Sequence, residues 1–143
     1  MVVTDAPINL AVESLERAEN YLRDFKIQVD KFLTVLQSGG EEEDYDTFVE
    51  NLKGWITVVQ LLDIVRDFLQ LDFKAIKVGK QSVDVINGEL QNVLIQIKKA
   101  LEEEDTVYLQ DLFRYELIPS IEKMSLVVNK FIEISKLKQK KDK

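Results

Sequence analysis

The fold of this chain is decided by Pro7–Gln37, which reads PINLAVESLERAENYLRDFKIQVDKFLTVLQ. Apolar residues recur in this stretch every seven positions, and a second apolar set falls between them: Ile8, Leu15, Leu22, Val29 and Leu36, with Ala11, Ala18, Phe25 and Phe32. A seven-residue repeat places such side chains along one face of a helix. The stretch therefore predicts one long helix, helix A, that packs along partner helices.

The ends of helix A are marked by residues that favour helix termini. Thr4 or Asp5 can cap its first turn, and Pro7 lies where a missing N–H is tolerated. Ser38-Gly39-Gly40 is a stop signal, so the helix is predicted to end near Gln37. The apolar face is wide enough to contact two neighbouring helices.

Helix B is predicted to follow the acidic cluster Glu41–Asp46, because carboxylates are favoured at the positive end of a helix dipole. Thr47 and Glu50 have the spacing of a capping box. Gly54 costs a helix interior about 1 kcal/mol relative to alanine, and it either permits a close helix contact or weakens the helix. The apolar repeat of helix B is Phe48, Trp55, Leu62 and Leu69.

The segment Asp72–Gln81 breaks the helical pattern, because apolar and polar residues alternate in it before a glycine. It predicts a short extended or turn-like connector. Helix C is then predicted from a cap at Ser82 to about Glu103.

Helix D is predicted to begin at a cap formed by Asp105 or Thr106 and to continue to about Lys136. Pro119 lies inside its apolar pattern. Proline removes a backbone hydrogen bond and clashes with the preceding turn, so a kink or break is expected near Leu117.

Together these elements predict an all-α fold, an antiparallel up-down four-helix bundle with long heptad-patterned helices and a last helix kinked at Pro119. The length of 143 residues and the hydrophobic content of 45% suit a single domain, placed at residues 1–135. Residues 136–143 contain five lysines and one aspartate, and they are expected to form a disordered basic tail.

The composition restricts the chemistry. The chain has no cysteine and no histidine, which excludes disulfides, thiol nucleophiles, imidazole catalysis and thiolate metal sites. The net charge of −7 argues against nucleic acid and anionic lipid as partners. With no signal peptide and no apolar run of about 20 residues, a soluble cytoplasmic protein is expected.

No catalytic, metal or nucleotide motif stands above background, so no catalytic residue, metal site or cofactor is predicted. The interaction candidates are a polar group at the start of helix D and a tryptophan in helix B: Asp111, Arg114, Tyr115, Glu116 and Trp55. The polar group forms either an interface ion pair or, more commonly, a structural network around Pro119. Trp55 either lines a ligand pocket or fills the core.

Carboxylates offer the one route to catalysis. Glu13 and Glu16 lie three positions apart, as do Glu41 and Asp44. The spacing resembles the paired sites that hold Mg²⁺ in all-α nucleotide pyrophosphohydrolases. Two departures weaken this alternative: Glu41 and Asp44 lie in a glycine-flanked acidic cluster, and the expected phosphate-contacting lysines and aromatics are not evident. Solvated helix faces and acidic residues at a helix start are the more common explanation of these carboxylates.

The stretch Asp105–Pro119, DTVYLQDLFRYELIP, resembles the C-terminal helix of a bacterial all-helical family of unknown function. The preceding KVGKQS and the helix that follows it are also consistent with that family. The resemblance implies an all-helical fold. It carries no activity, so it implies no site residue.

Three hypotheses for function remain at this point. The first is a non-enzymatic interaction module, an adaptor, chaperone-like binder or assembly factor that forms a homodimer through wide apolar helix faces. In this hypothesis part of helix A projects beyond its neighbours and pairs across the dimer. The second is the Mg²⁺-dependent hydrolase. The third is a regulator that docks through the basic tail, residues 136–143.

Overall fold

The computed structural model describes residues 6–40 and 42–141, with side chains described for residues 7–40 and 45–139. The predicted caps Thr4 and Asp5 lie outside these ranges. Glu41 and the side chains of Glu42, Glu43 and Asp44 also lie outside them.

The architecture is all-α, as predicted, with one small hairpin. The elements in chain order are α1 (Ala6–Gln37), α2 (Glu42–Leu69), β1 (Lys77–Val78), β2 (Gln81–Ser82), α3 (Val83–Glu102), α4 (Thr106–Leu112), a π-helical turn (Phe113–Leu117) and α5 (Ile118–Lys141). Within the described ranges, no helix is both long enough and apolar enough to cross a membrane.

Three predicted helix ends are found where the sequence placed them. Helix α1 ends at Gln37 and is followed by Gly39 and Gly40, whose φ angles of +101° and +47° lie in the region that favours glycine. The Ser82 side chain accepts a hydrogen bond from the Val85 N–H at the start of α3. The Asp105 side chain does the same for the Tyr108 N–H of α4.

The capping box predicted at Thr47 is wrong. Helix α2 already begins at Glu42, so Thr47 lies in the helix interior. Residues 42–46 of the acidic cluster, which was expected to precede the helix, instead belong to its first turns, where the positive end of the helix dipole favours carboxylates.

The connector between α2 and α3 is extended and turn-like, as predicted. Lys77–Val78 and Gln81–Ser82 pair as an antiparallel hairpin, with Lys77 opposite Ser82. Gly79 in the turn has a φ of +63°, which glycine adopts without steric cost. The Val83 N–H donates to the Ile76 carbonyl, which ties the hairpin to the start of α3.

The predicted interruption before Pro119 takes the form of a π-helical turn. The Ile118 N–H donates to the Phe113 carbonyl, five residues back instead of four. Pro119 has no N–H to donate to the Tyr115 carbonyl, and its ring would crowd that carbonyl in a regular α-helix. The wider turn accommodates the proline, and the chain remains helical from α4 through α5.

Helix α1 packs against both α2 and α5. Its predicted heptad face is buried from Ile8 to Leu36, apart from Ala11, which is half-buried. Because neighbours cover both ends, the expectation that part of this helix projects is wrong. Near the start of α1, Asn9 contacts Gln139 of α5, and farther along α1, Lys26 contacts Glu122.

Helix α5 continues to Lys141, beyond the predicted end at Lys136. The Gln139 side-chain amide donates to the Asn9 Oδ1 atom, so this part of the helix lies beside the start of α1. The side chains of residues 140–143, half of the predicted basic tail, lie outside the described ranges.

Gly54 permits a close contact between α1 and α2, which is one of the two roles proposed for it from sequence. A Cβ atom at this position would lie 2.6 Å from Cζ of Tyr21 and 2.7 Å from its hydroxyl oxygen. The Tyr21 ring stacks on Phe25, and its hydroxyl donates to the Asn51 carbonyl. An added Cβ atom would therefore disturb both the stacking contact and the hydrogen bond of Tyr21.

We expect Gly54→Ala to destabilise the protein. Forcing Tyr21 aside costs about 1–3 kcal/mol, which exceeds the gain of up to about 1 kcal/mol from better helix propensity. Gly88→Ala is the matched control, because Gly88 lies in helix α3 with open space around the position of its Cβ. It should gain up to about 1 kcal/mol. Urea unfolding measures both variants, and a Gly54→Ala protein as stable as Gly88→Ala would contradict the close contact.

Candidate interaction surfaces

An open groove runs along the face formed by α1 and α2, and we call it the α1–α2 groove. One half has a volume of about 470 Å³ and reaches Tyr21 and Gly54. The other half has a volume of about 240 Å³ and reaches Pro7 and Phe68. The two halves share the residues at the middle of the groove, which are Ser14, Leu61 and Ile64.

Large apolar side chains stand exposed along this groove. Ile64 is 65% exposed, Leu10 is 59% exposed and Phe68 is 49% exposed. Isolated exposed apolar residues are common on protein surfaces, but these three line one continuous depression. Contiguous exposure of this kind is typical of a surface that binds another protein.

Two opposite charges, Arg17 and Glu13, lie on α1 close in sequence to Ser14 of the groove. Arg17 lines the groove and donates a hydrogen bond to the Ser14 hydroxyl, at 3.4 Å. Glu13, one turn before Arg17, is exposed. Among the side chains that the structure describes, neither takes part in an ion pair.

Tyr21 is the perturbed titratable group of the groove. Burial raises the pKa of Tyr21 to about 12, because the phenolate would lose its hydration, and a backbone hydrogen bond from Trp55 opposes this shift. The neutral hydroxyl donates to the Asn51 carbonyl of α2. Tyr21 therefore acts as a neutral link between the two helices.

A second depression lies between α3 and the π-helical turn, and we call it the π-turn cleft. Its volume is about 380 Å³, and it contains Tyr115 and Glu116, two of the residues singled out from sequence. Glu89 and Lys123 form an ion pair of 3.2 Å on its wall. Interruptions of α-helices by π turns often occur at functional sites, but here the proline and the packing of Phe113 account for the turn.

The other predicted interaction residues are not brought together. Asp111 and Arg114 are exposed and do not line the π-turn cleft. In the described part of the chain, neither they nor Glu116 form an ion pair, so the expected network is not observed there. Trp55 is 1% exposed and packs against Phe25 in the core.

The carboxylates of the hydrolase hypothesis are only half described. Glu13 and Glu16 are exposed on α1, whereas the side chains of Glu41 and Asp44 lie outside the described ranges. Among described residues, no three acidic side chains form a group that could hold a metal ion. The hydrolase remains a prediction, and a thermal shift with Mg²⁺ and nucleotides would test it.

Sequence reasoning missed the α1–α2 groove. Leu10 lies outside the seven-residue repeat of α1, and Ile64 and Phe68 fall outside the heptad positions of α2. The available signal was the occurrence of large apolar residues at positions where the repeat predicts exposure, together with the interior glycine Gly54.

The comparison with protein families shows which family the chain belongs to. The model of a domain of unknown function, DUF8042, matches residues 13–127. The chain belongs to the DUF8042 family. The match begins in the first half of α1, includes the π-helical turn and ends within α5. It confirms the resemblance to a family of unknown function that was seen at Asp105–Pro119. Neither the curated proteins nor the solved structures contain a match to the chain.

We expect the contribution of Tyr21 to stability to disappear at high pH. Its pKa in the folded protein, about 12, lies above the unfolded value of about 10. The stabilisation is therefore complete below about pH 10 and is lost as the pH rises through about 12. Urea unfolding of the wild type and of Tyr21→Phe should show a constant difference up to about pH 9 and a smaller one at about pH 11.5. Equal differences at both pH values would contradict the burial of the hydroxyl.

Proposed function

We propose that this protein is a non-enzymatic interaction module and that the α1–α2 groove is its docking surface. The observation that carries the proposal is the line of exposed apolar side chains, Leu10, Ile64 and Phe68, along one continuous groove. Exposing such side chains to water is unfavourable, and covering them with a partner removes that cost.

The shape of the groove favours helical partners. It runs between residues 7–21 of α1 and residues 54–68 of α2, and grooves between helices accept apolar helix faces through residues spaced three and four positions apart. The proposed occupant is therefore a protein surface made of helices with exposed apolar residues. This is compatible with an adaptor, a chaperone-like binder or an assembly factor acting in the cytoplasm.

We further propose that the helices form an antiparallel up-down four-helix bundle. The pairs Asn9–Gln139 and Lys26–Glu122 occur in opposite order along α1 and α5, and Phe32–Phe48 and Phe25–Trp55 do the same along α1 and α2. In this arrangement α2 packs chiefly against α1. The groove between them consequently remains open to a partner.

Site-specific photocrosslinking tests the docking surface. Ile64→p-benzoylphenylalanine places a photoreactive group in the groove, and Ile95→p-benzoylphenylalanine places one on α3 at a residue with similar exposure, 67%. In irradiated cells of the source organism, we expect discrete protein adducts from position 64 and none from position 95. Mass spectrometry should locate the crosslink in an apolar helical segment of the partner.

Two results would contradict the proposal. One is the absence of any adduct from position 64. The other is the same adducts in the same yield from positions 64 and 95. The second result would show that contact with the groove is no more specific than contact with any exposed helix.

A further inference from the structure

The two halves of the α1–α2 groove differ in the exposure of their large apolar side chains and in their volume. Large side chains, Leu10 and Phe68, stand at one half. The other half has the larger volume, about 470 Å³ compared with about 240 Å³, and its lining combines the small residues Ala18 and Gly54 with larger ones such as Arg17 and Tyr21. The groove therefore has a protruding half and a receding half.

We propose that the occupant of the groove is a second copy of this chain, related to the first by a two-fold axis. The proposal rests on the proposed function and names the partner for the same surface. An axis that crosses the groove near Ser14 and Ile64, two of the three residues shared by both halves, places the protruding half of each copy over the receding half of the other. The groove is thus complementary to itself.

The charges beside the groove are complementary under the same symmetry. Arg17 and Glu13 lie within one turn of Ser14, on either side of it along α1. A two-fold axis near Ser14 brings Arg17 of one copy towards Glu13 of the other, and each contact occurs twice. Neither residue forms an ion pair among the described side chains of one chain, so both are available for the pairing.

A two-fold interface also closes on itself. Each copy offers its protruding half and its receding half in the same contact, so neither half remains to recruit a third copy. An isologous pair of α1–α2 faces therefore covers Leu10, Ile64 and Phe68 of both chains without forming a filament.

Sedimentation velocity of the purified chain tests the inference directly. We expect the wild type to sediment at twice the chain mass of 16.6 kDa. Ile64→Asp should raise the dissociation constant of the dimer at least about 100-fold, because each dimer loses two buried isoleucines. Ile95→Asp is the matched control and should leave the dimer intact. Circular dichroism and urea unfolding verify that both variants fold, as expected for substitutions of exposed residues.

Disulfide trapping provides a second, independent measurement, because the native chain contains no cysteine. Ser14→Cys places a thiol near the proposed axis, where it meets its own copy, and oxidation should convert most of this variant into a covalent dimer. Ser125→Cys, at a half-buried serine of α5, should remain monomeric under the same conditions.

The outcomes separate this inference from the proposed function. A wild-type monomer at about 100 µM, well above the micromolar affinity range of weak complexes, would overturn the second copy as the occupant, as would a dimer that is unchanged by Ile64→Asp. Adducts from position 64 with a different protein would then leave the interaction function standing. A monomer that also gives no adduct would overturn both.

Discussion

Burial of the heptad face of α1 is the constraint on which the rest of the structure depends. Side chains from two directions cover this face, and its aromatic members connect the main elements. Phe32 stacks on Phe48 of α2 with ring centroids 4.8 Å apart, and both rings contact Phe113 of the π-helical turn. Removing so much apolar surface from water fixes the positions of α2 and α5 along α1.

The groove follows from this arrangement. Helix α1 uses its heptad face for the core, so the residues at its margin, such as Leu10, are not covered by the chain itself. The missing side chain of Gly54 allows Tyr21 to lie directly against α2 and leaves the receding half of the groove open. The same close contact that joins the two helices therefore also shapes the surface between them.

Much of the fold could be predicted from the sequence, because its signals are local. The seven-residue repeat gave α1, the glycines after Gln37 gave its end, and Ser82 and Asp105 gave the starts of α3 and α4. The prediction at Thr47 was wrong because the spacing of a capping box also occurs inside helices. Acidic residues stabilise the first turn of a helix, and α2 accordingly begins at Glu42, before Thr47. Pro119 indicated an interruption, but a π-helical turn depends on how Phe113 packs, and that is a tertiary property.

The candidate site could not be predicted in the same way, because exposure is decided by which helices are neighbours. Ile64 and Phe68 fall outside the repeat of α2, but a neighbouring helix could still have covered them, and the packing of α2 on α1 shows that they remain exposed. Of the polar group predicted from sequence, Tyr115 and Glu116 line the π-turn cleft. Asp111 and Arg114, the other two members, lie outside it. Trp55 was also predicted as an interaction residue, but it is buried in the core.

Hydroxyl-radical footprinting at increasing protein concentration tests the account most directly, since it reports side-chain exposure in the core and in the groove together. The account predicts that Leu10, Ile64 and Phe68 are labelled in dilute protein and become protected as the concentration rises. Ile95 should be labelled throughout, and the buried rings of Phe25 and Phe48 should never be labelled. Labelling of Leu10, Ile64 and Phe68 that does not change with concentration, or labelling of Phe25 and Phe48 in the folded protein, would contradict it.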